Sequence, residues 1–237
     1  MSKIYITGDT HRNFKRIQSF CYKAQTDRDD ILIILGDAGI NYYLDSSDKS
    51  LKKKLSKLPI TLFCIYGNHE ERPENIPTYH ETEFCGGKVY IEDEYPNLIF
   101  AKDGEIYNLN GNRCLVLGGA YSVDKYYRLA TGNKWFPSEQ ITDRVKGEIE
   151  NFLDTQNWSV DYVLSHTCPY YTRPTHLFLK CINQNEVDSS MEVWLQKVTD
   201  RLDFKHWYFG HFHDDWDNDK YSMLYTDIVE FPMEDDI

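Results

Sequence analysis

Five short apolar runs dominate this chain, and each stops in a similar way. Ile4-Tyr5-Ile6 leads into Gly8-Asp9-Thr10-His11, and Ile31-Leu32-Ile33-Ile34-Leu35 leads into Gly36-Asp37. Thr61 to Tyr66 leads into Gly67-Asn68-His69-Glu70, Asp161 to Ser165 into His166, and Trp207-Tyr208-Phe209 into Gly210-His211-Phe212-His213. Runs that are apolar at nearly every position and bounded by turn residues read as strands buried on both faces. Such strands need helices to cover them, and the intervening segments supply candidates. Phe14, Ile17, Phe20 and Cys21 recur at helical spacing over 13–25, and a charged helix is expected around 47–58, before Pro59. Pro137-Ser138 predicts the start of a helix running to about 155, and another is expected near 188–201.

The middle of the chain has a different texture. Val89–Ile91, Leu98–Phe100 and Cys114–Leu117 are short strand-like runs separated by turn signals such as Asp103-Gly104 and Asn110-Gly111. Met223–Phe231 reads as a closing hairpin. No repeat, low-complexity tract or linker interrupts the 237 residues. The expectation is an α/β chain forming a single domain over 1–237, with two sheets at its centre and helices outside.

Ligands of open α/β sheets gather where strands end at their carboxyl edge. Five loops at such ends, all carrying Asp, Asn or His, are expected to converge on one pocket. Five of the eight histidines lie in these loops; only His80, His176 and His206 lie elsewhere. In an extended segment residues i and i+2 point the same way, so His211 and His213 are expected to aim two imidazoles at one place.

Composition removes several alternatives. No stretch approaches the ~20 apolar residues of a membrane helix, and no secretory pattern opens the chain, so a cytoplasmic protein is expected. Six scattered cysteines without a C-x-x-C pair suit reduced thiols rather than a disulfide framework or a cysteine zinc site. A formal net charge of -12 disfavours nonspecific binding to long nucleic acid.

The ordered set Asp-x-His, Gly-Asp, Gly-Asn-His-Glu, a lone His and Gly-His-x-His, over residues 8–213, resembles the calcineurin-like metallophosphoesterase superfamily. The resemblance implies an αββα four-layer sandwich, two central mixed β-sheets flanked by helices. It also implies two divalent metal ions (Mn, Fe or Zn). Asp37 would bridge them; Asp9, His11 and His213 would complete one site, and Asn68, His166 and His211 the other. Mixed imidazole, carboxylate and amide-oxygen ligands suit these metals. The implied chemistry is in-line attack on a phosphodiester or phosphomonoester by a metal-bridging hydroxide, with His69 as the catalytic residue beside the scissile group.

Two positions depart from the phosphoprotein-phosphatase branch of that superfamily. Ile40 stands where that branch has the Asp that orients its catalytic His, and Tyr66 stands where it has an Arg. A phosphoprotein phosphatase therefore becomes the secondary expectation, followed by a metal-bearing scaffold or interaction module. Substrate contacts are sought in the less patterned loops. Arg72 is a candidate phosphate clamp, and Tyr121, Lys125 and Arg128 are candidates to hold a phosphate and stack a base. The expected partner is a phosphate ester, nucleotide-like or a short nucleic acid, with no membrane and no protein partner.

Overall fold

The computed structural model describes residues 2–233. Its first sheet has seven strands in the order β13 (Ile228–Glu230), β1 (Ile4–Thr7), β2 (Ile31–Ile34), β3 (Thr61–Cys64), β6 (Leu98–Ala101), β5 (Gly87–Ile91) and β4 (His80–Phe84). The second has six: β11 (Trp216–Asp217), β12 (Tyr221–Met223), β10 (His206–Phe209), β9 (Tyr162–Ser165), β8 (Asn112–Leu117) and β7 (Ile106–Leu109). β1, β2, β3 and β6 run parallel, as do β8, β9, β10 and β12; the outer strands are antiparallel.

The period-two alternation of the strands builds the layers. Ile4, Ile6, Ile31, Ile33 and Phe63 share one core cluster with Cys114, Val116, Tyr162, Leu164 and Tyr208 of the other sheet. The intervening residues Tyr5, Leu32, Ile34, Leu62 and Cys64 pack with Ile17 and Cys21 of α1 (Lys15–Ala24) and Leu55 of α2 (Ser46–Leu55). On the opposite side, Leu115, Leu117, Val163, Trp207 and Phe209 meet two further helices. These are α4 (Asp143–Thr155), through Ile149 and Leu153, and α5 (Ser190–Arg201), through Met191, Trp194, Leu195 and Val198. The order is therefore helices, sheet, sheet, helices: the αββα sandwich.

Three local expectations need correction. The helix expected from Ser138 begins at Asp143, where the Thr142 hydroxyl accepts the Val145 N–H. Ser138 instead bonds Glu71 through its hydroxyl, and its carbonyl accepts from Arg72. Met223–Phe231 is not a hairpin: β12 adds to the second sheet and β13 to the first, so 224–227 carries the chain between sheets. Both sheets offer an edge strand to pair with, and the chain uses each. Finally, residues 125–131, read only as a substrate loop, form a two-turn helix, α3 (Lys125–Thr131), closed by Gly132 in a left-handed conformation.

Candidate metal centre and catalytic cavity

β1, β2 and β3 deliver Asp9, His11, Asp37, Asn68 and His69 from the first sheet, and β9 and β10 deliver His166, His211 and His213 from the second. Donor atoms of Asp9, His11 and His213 all lie within 4.8 Å of one another, as do those of Asp9, Asp37 and His166. His213 Nε2 is 3.2 Å and His11 Nε2 3.5 Å from Asp9 Oδ2. Asp37 Oδ2 stands between the two expected ligand sets, 3.8 Å from His11 Nδ1 and 3.6 Å from His166 Nε2. Ring centroids of His166 and His211 are 4.9 Å apart. All seven expected metal ligands are thus gathered at one edge of the sandwich.

The local backbone is bent to achieve this. His11, Asp37, His211 and His213 have φ of 42°, 47°, 71° and 57°. Left-handed conformations are uncommon for residues with a Cβ and collect at functional sites. The His-x-His pair is therefore not extended as expected. The Phe212 N–H donates to the Gly210 carbonyl at 2.9 Å, a tight turn, and both imidazoles reach the site from a curled segment. Glycine is required where ligands cross. A Cβ on Gly36 (φ +94°) would lie 2.1 Å from His166 Nδ1, and one on Gly67 would lie 2.1 Å from Asp37 Oδ1.

The hydrogen bonds reveal what the cluster lacks. His166 Nδ1 lies 2.7 Å from the Leu35 carbonyl, which can only accept, so the proton sits on Nδ1. Asn68 Nδ2 donates to Ser122 Oγ at 2.8 Å, which turns Asn68 Oδ1 toward His166 Nε2, also 2.8 Å away. Were the imidazole neutral, as a metal ligand must be, its Nε2 lone pair would face the Asn68 oxygen, two acceptors together in a fully buried site. Asp9 Oδ2 is likewise buried with no aligned hydrogen-bond donor. A cation resolves both, and a histidine that donates its other nitrogen to a carbonyl is the usual orientation for a metal ligand. The residues present fit divalent ions.

Electrostatics agree. Burial alone would raise the Asp9 and Asp37 carboxyls, but the surrounding imidazoles, His166 foremost, hold both below the ordinary carboxylate range. Burial, reinforced by His166, pushes His211 down to about 3, so it is a neutral donor. Burial also lowers His69, with Asp37 opposing and Arg128 assisting. Glu70 is fully buried, and desolvation together with Asp37 raises it to about 8.

His69 is anchored by its own backbone: its N–H donates to Asp37 Oδ1 at 2.7 Å. Its Nε2 lies 3.8 Å from Asp37 Oδ2 and 3.4 Å from Arg128 Nη2. Arg128, in α3, is held in turn by Asp124 at 2.7 Å and by the Tyr42 hydroxyl at 3.3 Å. A cavity of about 320 Å³ opens on Asp37, Asn68, His69, His211 and His213, and Tyr121 lines it. Three expected substrate residues do not line it: Arg128 reaches His69 from behind the wall, and Lys125 and Arg72 are engaged elsewhere. Lys125 Nζ sits 4.0 Å over the Trp135 ring. Arg72 is buried elsewhere: it pairs with Asp103 at 2.5 Å, donates to the Ser138 carbonyl, and stacks 3.9 Å over the Tyr66 ring. A larger cavity, about 650 Å³, borders Arg72, Lys102 and Arg144, but none of the converging ligands lines it, and each of those cations is paired with a carboxylate. The chemistry belongs to the smaller cavity.

Sequence reasoning missed three contributors. Ser122 fixes the Asn68 amide; it follows β8, a sixth strand end that obeys the same carboxyl-edge rule. Tyr225 stacks on His213 with centroids 4.8 Å apart, from the segment that crosses between the sheets. Residues 177–187 wall the cavity, and the apolar triplet Leu177-Phe178-Leu179 within a loop was their signal.

Comparison with known proteins follows the same line. The family model for calcineurin-like phosphoesterases matches residues 2–215. Among solved structures, the protein TT1561 of Thermus thermophilus has the same fold, with a TM-score of 0.51 at 11% identity over 95% of this chain and 89% of its own. A second solved chain gives a TM-score of 0.49 at 10% identity, over 94% of this chain and 89% of its own. No curated protein matches the sequence. Among the described residues, no helix is long and apolar enough to cross a membrane.

Proposed function

The chain belongs to the calcineurin-like phosphoesterase family, whose members are metal-dependent phosphoric-ester hydrolases, and from that membership we propose a dinuclear enzyme acting on a small phosphodiester or phosphomonoester. The observation that carries this reading is the convergence of buried Asp9, Asp37 and His166, with His11 and His213 gathered on Asp9, the donor atoms of each group within 4.8 Å of one another. Asp9, His11 and His213 would hold one divalent ion and Asn68, His166 and His211 a second, with Asp37 shared between them. Asp37 Oδ2, within 3.8 Å of one histidine from each set, supports the sharing. Bound divalent ions supply an activated water and neutralise phosphoryl oxygens.

The protein's own groups do the rest. His69 is kept neutral near pH 7 by burial, and its Nε2, lone pair toward the Arg128 guanidinium, can take up a proton and pass it to the leaving oxygen. Arg128, 3.4 Å from His69 and paired with Asp124, sets a guanidinium beside that imidazole and acts on the reaction through it. Tyr121 forms part of the cavity wall. Ile40 is fully buried and its N–H donates to Glu70, so no carboxylate at that position orients His69. This favours a small-ester hydrolase over the phosphoprotein-phosphatase reading.

The test is hydrolysis of p-nitrophenyl phosphate and bis-p-nitrophenyl phosphate by Mn²⁺-reconstituted protein. Turnover that vanishes on chelation is expected, and the preferred ester decides between phosphatase and phosphodiesterase. Metal-loaded protein inert toward both would leave the scaffold reading in its place.

A further inference from the structure

The catalytic cavity is not polar throughout. Phe178, Leu179, Ile182 and Val187 line it together with Phe212 and Tyr121. The first four come from residues 173–189, which link the His166 loop to α5 and contain only short 3-10 turns. Phe212 and Phe178 lie nearly parallel, 20° between planes and 6.3 Å between centroids. Phe212 also meets the His211 ring at 4.9 Å. An aromatic surface thus runs without a break from an expected metal ligand to the cavity wall.

Charge points the same way. Among the described residues, Arg173 is the only Lys or Arg lining this cavity. Its Nε donates to the Tyr170 carbonyl and its Nη1 to the Ser189 hydroxyl, and the guanidinium lies 3.5 Å over the Tyr170 ring. Asp124 and buried Glu192 share the cavity with it. A polyphosphate chain would find no free clamp there and two carboxylates nearby. The volume, about 320 Å³, is at the lower end for small-molecule sites, room for one ring system and one phosphate rather than a polymer.

We infer that the substrate, on the phosphoesterase reading above, is an ester carrying a single phosphate and a planar aromatic group, which lies against Phe178 and Phe212 while the phosphate faces His69. Burying a ring on such a wall releases water from both surfaces and adds ring–ring attraction. Residues 173–189 therefore set specificity, while the ligand loops set the chemistry.

The experiment compares Mn²⁺-loaded wild type with Phe178→Ala and with Leu179→Ser, whose parent side chain is 59% exposed and can change without unfolding the core. The substrates are 1-naphthyl, nucleoside 5′- and methyl phosphate esters, offered as monoesters or as methyl diesters, whichever class turns over. Relative to its effect on the methyl ester, Phe178→Ala should raise KM for the naphthyl ester about tenfold. Leu179→Ser should shift it in the same direction. Binding of 1-naphthol to chelator-treated protein, read by naphthol fluorescence, should weaken in parallel. Equal sensitivity of the nucleoside ester identifies the ring as a nucleobase, and sensitivity confined to the naphthyl ester identifies another aryl group. Uniform KM changes across all three esters with unaltered naphthol binding would overturn the inference and leave the phosphoesterase standing. Wild-type protein inert toward every ester would overturn both.

Discussion

Replacing Arg72 by Met asks whether this residue serves stability or substrate. Its guanidinium is 12% exposed and pairs with Asp103, 7% exposed, at 2.5 Å. Burial pulls the Arg72 pKa down, and Asp103 more than restores it. Without Arg72, the Asp103 carboxylate stays buried with the Gly118 N–H on Oδ1 as its remaining hydrogen bond, and the Ser138 carbonyl loses its donor. Removing one partner of a buried ion pair costs about 3–5 kcal/mol, because a lone charge remains behind. Adding Asp103→Asn removes that charge, so the double variant should recover most of the loss. Urea titration of the chelator-treated proteins reads these values, and p-nitrophenyl ester kinetics on folded, metal-loaded protein should give an unchanged KM. A single variant within about 1 kcal/mol of wild type, with KM raised tenfold, would refute the structural role and restore Arg72 as a phosphate clamp.

Asp37→Asn should remove at least one ion, by metal analysis, and nearly all turnover while leaving the far-ultraviolet circular dichroism intact; retention of both ions would end its bridging role. His69→Ala should retain metal content but lose about 10²–10⁴ in kcat, and undiminished kcat would exclude it from the reaction. Gly67→Ala puts a methyl 2.1 Å from Asp37 Oδ1, so metal affinity measured by chelator competition should fall by at least tenfold; unaltered affinity would mean the loop yields freely. Glu70, raised by burial and Asp37 to about 8 from an ordinary 4.5, is protonated in the metal-free fold at neutral pH. A raised folded-state value means stability that is full below pH 4.5 and lost as pH rises through about 8. Glu70→Gln should therefore flatten that decline, with a gain approaching about 5 kcal/mol at most by about pH 8.5. A gap from wild type that is the same at about pH 5 and about pH 8.5 would contradict the burial argument.

The strand ends were legible because two independent signals coincide there: an apolar run long enough for one buried strand, and a glycine or polar stop carrying a donor. Asp9, Asp37 and His166 stood out only as members of the whole ordered set, since a lone Gly-Asp turn or a lone buried histidine is ordinary; the fold brings their donor atoms within 4.8 Å of one another. The geometry of His211 and His213 was not legible, since the extended-chain rule gave the right convergence for the wrong backbone; the curled segment is tied down by Asp9, whose Oδ1 accepts the His211 N–H from another part of the chain. Met223–Phe231 misled because strand propensity does not say which sheet a strand will join. Arg72 follows Gly-Asn-His-Glu by only two residues, yet the chain turns there, and Asp103, 31 positions away, captures it. The cavity wall over 177–187 has no periodicity to read. Its apolar residues are held by the loops around them, a relation invisible until the chain is folded.

The apolar interface between the two sheets has a further consequence. Methyl groups and rings attract without direction, so a slide of an ångström between sheets would barely change the area they bury. The donors do not share that tolerance. Asp9, His11, Asp37 and Asn68 ride on one sheet, and His166, His211 and His213 on the other. The cluster works as a vernier: it registers, at sub-ångström scale, an alignment to which the core beneath it is nearly blind. Mutations that leave the protein folded but let the layers creep should therefore be recorded first in metal occupancy, long before any melting curve moves.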